Sequence, residues 1–220
     1  MFKLIIWDFD GVIADSEKIW LKNRCELLNQ KFGLNWDFET TNFYLGGMSD
    51  KTKQTVLGNL GIKTDDFFWE EAMRRDYADM SKGLDLTPGV KKIFSHREIK
   101  QCIATGGVKS KTEQKLQAAG IENIFKPEEI FTADMVEHGK PEPDLFLLAA
   151  QKMGERPEDC VVIEDSLAGM KAGLKAGMET VAYIGCEMNQ TPAYIEKIKA
   201  LGIRHIFLQM ADLQKWLGLS

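Results

Sequence analysis

The chain has 220 residues, 44% of them hydrophobic and 28% charged, with a formal net charge of -5 and a sequence pI of about 5.4. That is ample material for one large domain, or for a domain carrying a smaller insert. The acidic balance argues against a nucleic acid or an acidic membrane surface as partner. Cys25, Cys102, Cys160 and Cys186, like His96, His138 and His205, are dispersed along the chain, so zinc-ligand spacing is absent and reduced thiols are expected. Met1-Phe2-Lys3-Leu4 opens without a charged leader, and no apolar run is long enough to span a bilayer, so a cytoplasmic protein is expected.

Leu4-Ile5-Ile6-Trp7 is an unbroken apolar run that stops at Asp8-Phe9-Asp10-Gly11, which reads as a buried strand delivering two carboxylates into a loop. A spacing of two along extended chain points both side chains to one side. One carboxylate can then bind a cation or attack an electrophile while the other handles a proton. Gly11 allows a tight turn and close approach of a ligand. A bare Asp-x-Asp is more often a solvated turn; the residues further along lower that reading here.

From Ser16 to about Lys82 the pattern turns helical and contains no proline. Ser16 is expected to cap a first helix carrying Ile19, Trp20, Leu27, Leu28 and Phe32 and stopped by Gly33. A second helix follows the Leu45-Gly46-Gly47-Met48 turn, with Ser49 or Asp50 as cap, and buries Val56, Leu57 and Leu60. A third runs from about Asp65 through Phe67, Phe68, Ala72, Met73, Tyr77 and Met80. Thr87-Pro88 is expected to open the next helix, and the run Cys102-Ile103-Ala104 ends at Thr105-Gly106-Gly107. Ser110-Lys111-Thr112-Glu113 reads as a capping box. Ile130-Phe131-Thr132, Cys160-Val161-Val162-Ile163, Thr180 to Tyr183 and Ile206-Phe207-Leu208 are further strands. Helices are expected from Pro141 or Pro143 to Gly154, after Ser166 to Gly177, and around Leu213 and Trp216. Strands apolar throughout, alternating with helices, indicate a parallel sheet covered on both faces. The expected architecture is α/β: a core over residues 1–15 and 83–220, with an all-helical insert over residues 16–82.

In such a sheet the carboxyl ends of the strands face one edge, where ligands bind. Asp8 and Asp10, Thr105, and Glu164 and Asp165 would therefore meet in one pocket. Up to four carboxylates there repel one another and need a cation, and oxygen-only donors suit magnesium (Mg2+) over zinc. Lys140, in His138-Gly139-Lys140-Pro141, could add a fixed positive charge, or could be a solvated loop lysine. Thr105 and the amides of Gly106 and Gly107, placed before a helix, could hold an anion's oxygens.

Taken in order, Asp8-Phe9-Asp10-Gly11-Val12, Thr105, Lys140-Pro141, and Glu164-Asp165-Ser166 with Gly169 and Gly173 resemble the four motifs of the haloacid dehalogenase-like hydrolase superfamily. The resemblance spans the chain from the first strand to beyond Gly177. It implies a Rossmann-like core with a helical cap domain inserted after the first motif. It also implies that Asp8 is a nucleophile forming an aspartyl-phosphate and Asp10 an acid/base, while Thr105 and Lys140 bind the phosphoryl group. Asp8, the backbone carbonyl of Asp10, and Asp165 would hold magnesium, with Glu164 helping directly or through water.

Dehalogenases of the family expel a halide that needs no proton and do not keep an aspartate at the position of Asp10, so phosphoryl transfer is expected. Gly11-Val12, the helical insert and Asp15-Ser16 resemble the beta-phosphoglucomutase-like branch, which also contains sugar-phosphate phosphatases. Trp20 stands where the mutases carry histidine, and Gly107 and Val108 stand where they carry serine and lysine, which favours water as acceptor. Gly46, Gly47, Met48, Ser49 and Lys51 resemble the branch's substrate-specificity loop. Ser49 replaces a mutase arginine that Lys51, Arg74 or Arg75 could stand in for, although Arg74 and Arg75 read better as a solvated helix face. The expectation is a monomeric, magnesium-dependent phosphatase acting on a small phosphorylated metabolite, a sugar or sugar-acid phosphate. A sugar phosphate mutase and a non-catalytic metal- or phosphate-binding scaffold are the alternatives.

Overall fold

The computed structural model describes residues 2–46, 48, 50–185 and 190–219. The chain divides into two compact units, Met1–Asp15 with Asp85–Ser220, and Ser16–Leu84. The second boundary falls two residues beyond the position read from the sequence. Strand β1 (Leu4–Trp7) opens the first unit with all four residues buried.

The second unit is helical: α1 (Glu17–Phe32), α2 (Phe38–Leu45), α3 (Asp50–Asn59) and α4 (Asp66–Met80). The sequence reading has three helices in this stretch. The additional one, α2, starts where the Asp37 side chain accepts from Thr40 N, a cap that offsets its aromatic and β-branched residues. Asp65 caps α4 in the same way, accepting from Phe68 N. Ser16 stands before α1 but makes no side-chain cap bond, because its backbone is already helical (φ -77, ψ -25) and a capping side chain needs extended backbone. On α4 the buried stripe is Phe68, Ala72, Asp76 and Met80, spaced by four, so Phe67 and Met73 fall off it and are exposed. Phe32 and Leu60 are exposed as well, against the expectation that they line the unit's interior. Asp76 takes its place on the stripe because Arg24 pairs with it and Asn23 Nδ2 donates to it at 3.0 Å.

The first unit resumes with α5 (Val90–Phe94), β2 (Lys100–Thr105), α6 (Lys109–Ala118), β3 (Ile130–Thr132), α7 (Asp144–Met153) and β4 (Cys160–Glu164). It ends with α8 (Leu167–Lys175), β5 (Glu179–Tyr183), α9 (Pro192–Ala200), β6 (Ile206–Phe207) and α10 (Met210–Trp216). The six strands form one sheet in the order β3-β2-β1-β4-β5-β6, and every pairing is parallel. This is the doubly wound Rossmann order, whose ligand crevice lies at the carboxyl ends of the strands where the order reverses, beside β1. Leu4 and Ile6 pack with Leu145, Phe146 and Ala149 of α7 in one core cluster. Trp7 stacks edge-on against Phe94 at 5.5 Å, and its indole N–H donates to Gln101 Oε1 at 3.1 Å.

Two expected helix starts differ from the structure. Thr87-Pro88 lies in a turn, and α5 begins only after Gly89, whose φ of 90 breaks the helical path. Ser110 lies inside α6 rather than capping it. The first helical amide, Lys109 N, donates instead to Asp134 Oδ1 at 3.1 Å, so the cap comes from the segment after β3. Among the described residues, Cys25, Cys102 and Cys160 are free thiols, Cys186 lies outside them, and no helix is long and apolar enough to cross a membrane.

Candidate active site

Register decides which residues meet. Trp7 lies beside Ile103 of β2 and Ile163 of β4, so one residue further on Asp8 emerges level with Ala104 and Glu164. Asp8 N donates to Ile163 O at 2.9 Å, which holds the first residue past the strand against its neighbour. Lys140 fills the space between them. Its ammonium donates to Asp8 Oδ1 at 2.5 Å, Glu164 Oε1 at 2.8 Å and the Ala104 carbonyl at 3.0 Å, using all three of its protons. It also sits 4.9 Å from the ring centroid of Phe146. The solvated-loop alternative for Lys140 is thereby set aside: its side chain is only 9% exposed.

Glu164 is held from the other side as well. Its Oε2 accepts from Ser166 N at 2.7 Å and from the Ser166 hydroxyl at 2.9 Å, and that hydroxyl accepts from Gly169 N at 3.0 Å. Gly169 is glycine for want of space, since a Cβ there would stand 1.6 Å from Glu164 Oε1. Gly11 has two reasons: its φ is +78, and a Cβ would stand 2.0 Å from Asp165 Oδ2. The Asp165 carbonyl accepts from the Tyr194 hydroxyl at 2.7 Å.

Asp8, Glu164 and Asp165 each bring a carboxylate oxygen within 4.8 Å of the others. The Lys140 ammonium bridges two of these carboxylates, Asp8 and Glu164, and a divalent cation would offset the negative charge the cluster gathers. The donors are all oxygen, which fits a hard cation such as magnesium. The negative charge also registers on Asp8. Burial, reinforced by Glu164 and Asp10 and opposed by Lys140, pushes its carboxyl up to about 7. Burial opposes the charge on Lys140, but Asp8 and Glu164 outweigh it and hold the lysine above its ordinary range.

Asp10 has its own counter-charge. Lys115 Nζ donates to both of its carboxylate oxygens, each at 2.6 Å. The sequence reading does not single out Lys115. A readable signal exists, because Thr112, Lys115, Leu116 and Ala119 are buried at helical spacing, and a lysine on a buried stripe calls for a partner. Thr105 is buried at the end of β2, and its Oγ1 accepts from Gly107 N at 3.2 Å, tying the Thr105-Gly106-Gly107 turn together.

The remaining expected residues belong to the helical unit. Gly46 ends α2, where a Cβ would stand 2.2 Å from Asn42 Oδ1, a local reason for glycine. Met48 is half-buried, and Lys51 is exposed in the first turn of α3. Gly47 and Ser49 lie outside the described residues. Arg74 and Arg75 both bind Glu71 at 2.8 Å, and Arg75 also reaches Gln30 at 2.8 Å, the behaviour of a paired helix face.

The family profile described as haloacid dehalogenase-like hydrolase matches residues 5–183. A fructose-1-phosphate phosphatase of Escherichia coli is 33% identical over 181 residues, covering 80% of this chain and 94% of its own. A 6-phosphogluconate phosphatase of the same organism is 25% identical over 196 residues, covering 88% and 87%. Among solved structures, a HAD family hydrolase from Deinococcus radiodurans with bound phosphate and sodium superposes with a TM-score of 0.85 at 26% identity, covering 98% of this chain and 95% of that one. Fold, site and relatives together define a phosphoric monoester hydrolase. The chain belongs to the haloacid dehalogenase-like hydrolase family.

Proposed function

We propose that the protein is a magnesium-dependent phosphatase of small phosphorylated metabolites, a sugar or sugar-acid phosphate, working through an aspartyl-phosphate on Asp8. The observation that carries this reading is the Lys140 ammonium bridging Asp8 and Glu164. It fixes one oxygen of a buried carboxylate and leaves the other to attack. The fructose-1-phosphate and 6-phosphogluconate named for the two relatives support the substrate class, and the Deinococcus hydrolase, solved with bound phosphate and sodium, supports phosphate binding.

Asp8, the carbonyl of Asp10, and Asp165 are the residues to hold magnesium. Glu164, both of whose oxygens are engaged, acts by anchoring Lys140 and through water. When bound, the ion supplies positive charge against the phosphoryl oxygens. The chain's own residues do the rest. Asp8 attacks phosphorus as the ester P–O bond breaks, and Asp10 gives its proton to the departing alkoxide. Lys140 and Thr105 hold the phosphoryl oxygens in place. Asp10, now a carboxylate, takes a proton from the water that attacks phosphorus, which frees inorganic phosphate and restores Asp8. Gly46, Gly47, Met48, Ser49 and Lys51 are proposed to contact the leaving group.

The test is phosphorus NMR of the protein with magnesium and, separately, fructose 1-phosphate, 6-phosphogluconate and glucose 1-phosphate. Free inorganic phosphate from at least one of them is expected. Conversion of glucose 1-phosphate to a 6-phosphate, without free phosphate, would make the protein a mutase instead.

A further inference from the structure

Lys115 lies two turns into α6, a helix whose other lysines near its start, Lys109 and Lys111, are exposed, whereas Lys115 is 8% exposed. Burying an ammonium is costly unless it is paired. Here it faces both oxygens of Asp10 at the same 2.6 Å, with the ring of Phe9 5.7 Å away. Two contacts from one ammonium pin both oxygens of the carboxylate at once. This also removes the carboxylate's freedom to rotate about its last bond, so it selects one orientation of Asp10.

The geometry points to Lys115 as a positioning residue for the second half of the reaction: it holds Asp10 aligned to take the proton from the water that releases phosphate from Asp8. This rests on the role proposed for Asp10, and it adds what makes the phosphoenzyme short-lived. With the carboxylate already aligned, water is deprotonated as it attacks the aspartyl-phosphate, which shortens the life of that intermediate.

The experiment is stopped-flow turnover of p-nitrophenyl phosphate with magnesium, a substrate whose leaving group needs no proton. In Lys115→Met, formation of the phosphoenzyme is spared and its hydrolysis slows. The ratio of burst to steady-state rate should rise about tenfold or more, with kcat and KM falling together and kcat/KM staying within about threefold. Lys115→Gln, polar but uncharged, must show the same burst, and Lys115→Arg, which keeps a two-pronged cation, must restore most of kcat. In an Asp10→Asn background, Lys115→Met must change nothing further. A uniform loss of kcat and kcat/KM without a burst would make Lys115 merely structural, and an unchanged kcat would remove it from the reaction. If Asp10→Asn itself turns over like the parent, the role of Asp10 fails. If Asp10→Asn gives the burst and the Lys115 variants do not, only the inference about Lys115 fails.

Discussion

Asp8→Asn is expected to abolish phosphatase turnover, by at least about ten-thousandfold, while leaving the protein folded. The amide is nearly the same size and can still accept from Lys140 through its oxygen, but it is no nucleophile. Stability should move the other way. In the metal-free parent the Asp8 carboxyl is pushed from 3.8 to about 7, chiefly by burial. Between those values the folded chain holds a proton that the unfolded chain does not, so the parent's stability declines as pH rises through that window. Asp8→Asn has nothing to titrate there. Its thermal midpoint, in chelator, should match the parent near the bottom of the window and exceed it above pH 7. Circular dichroism melts across pH and a coupled phosphate-release assay check both halves. Residual turnover near the parent's level would remove Asp8 from the chemistry.

Lys140→Met is expected to cost both stability and rate. The ammonium lies between Asp8 and Glu164, and without it two buried carboxylates face each other with no cation between them. Taking one partner from a buried pair costs about 3–5 kcal/mol, or roughly 6–20 °C in thermal midpoint for a chain of this length. The loss should be smaller at pH 5 than at pH 8, because Asp8 then shares the burden by taking up a proton. Magnesium should recover part of it by neutralising the same carboxylates. Loss of the phosphoryl-binding charge should lower kcat by about a hundredfold to a thousandfold. A midpoint within a degree of the parent, in chelator at pH 8, would contradict the charge balance on which the site is argued.

The sheet and its working edge were legible because each strand announces itself: Leu4 to Trp7 and Cys160 to Ile163 are apolar throughout and stop at carboxylates. A parallel register then brings residues 8 and 164 level. Lys140 was legible only as part of an ordered motif, since a lysine in a loop carries no sign of burial; the contact with Asp8 spans 132 positions. Helix starts were harder wherever the cap comes from elsewhere in the chain, as when Asp134 receives the first amide of α6. In the helical unit the apolar pattern over-predicts burial. Phe67 and Phe68 are equally apolar, and only the Arg24–Asp76 pairing tells which of them shares the inward stripe. Thr191-Pro192 caps α9 with a readable signal, but the residues after it are too mixed for periodicity to single the helix out.

The most direct test is calorimetric titration of the chelator-stripped protein with magnesium, set beside the magnesium dependence of turnover. The expected result is one site, half-filled at the magnesium concentration that half-restores phosphate release, and lost in Asp165→Asn. Full turnover in excess chelator, or magnesium binding undiminished by Asp165→Asn, would contradict the claim that Asp8, Glu164 and Asp165 form an anionic site for a divalent ion.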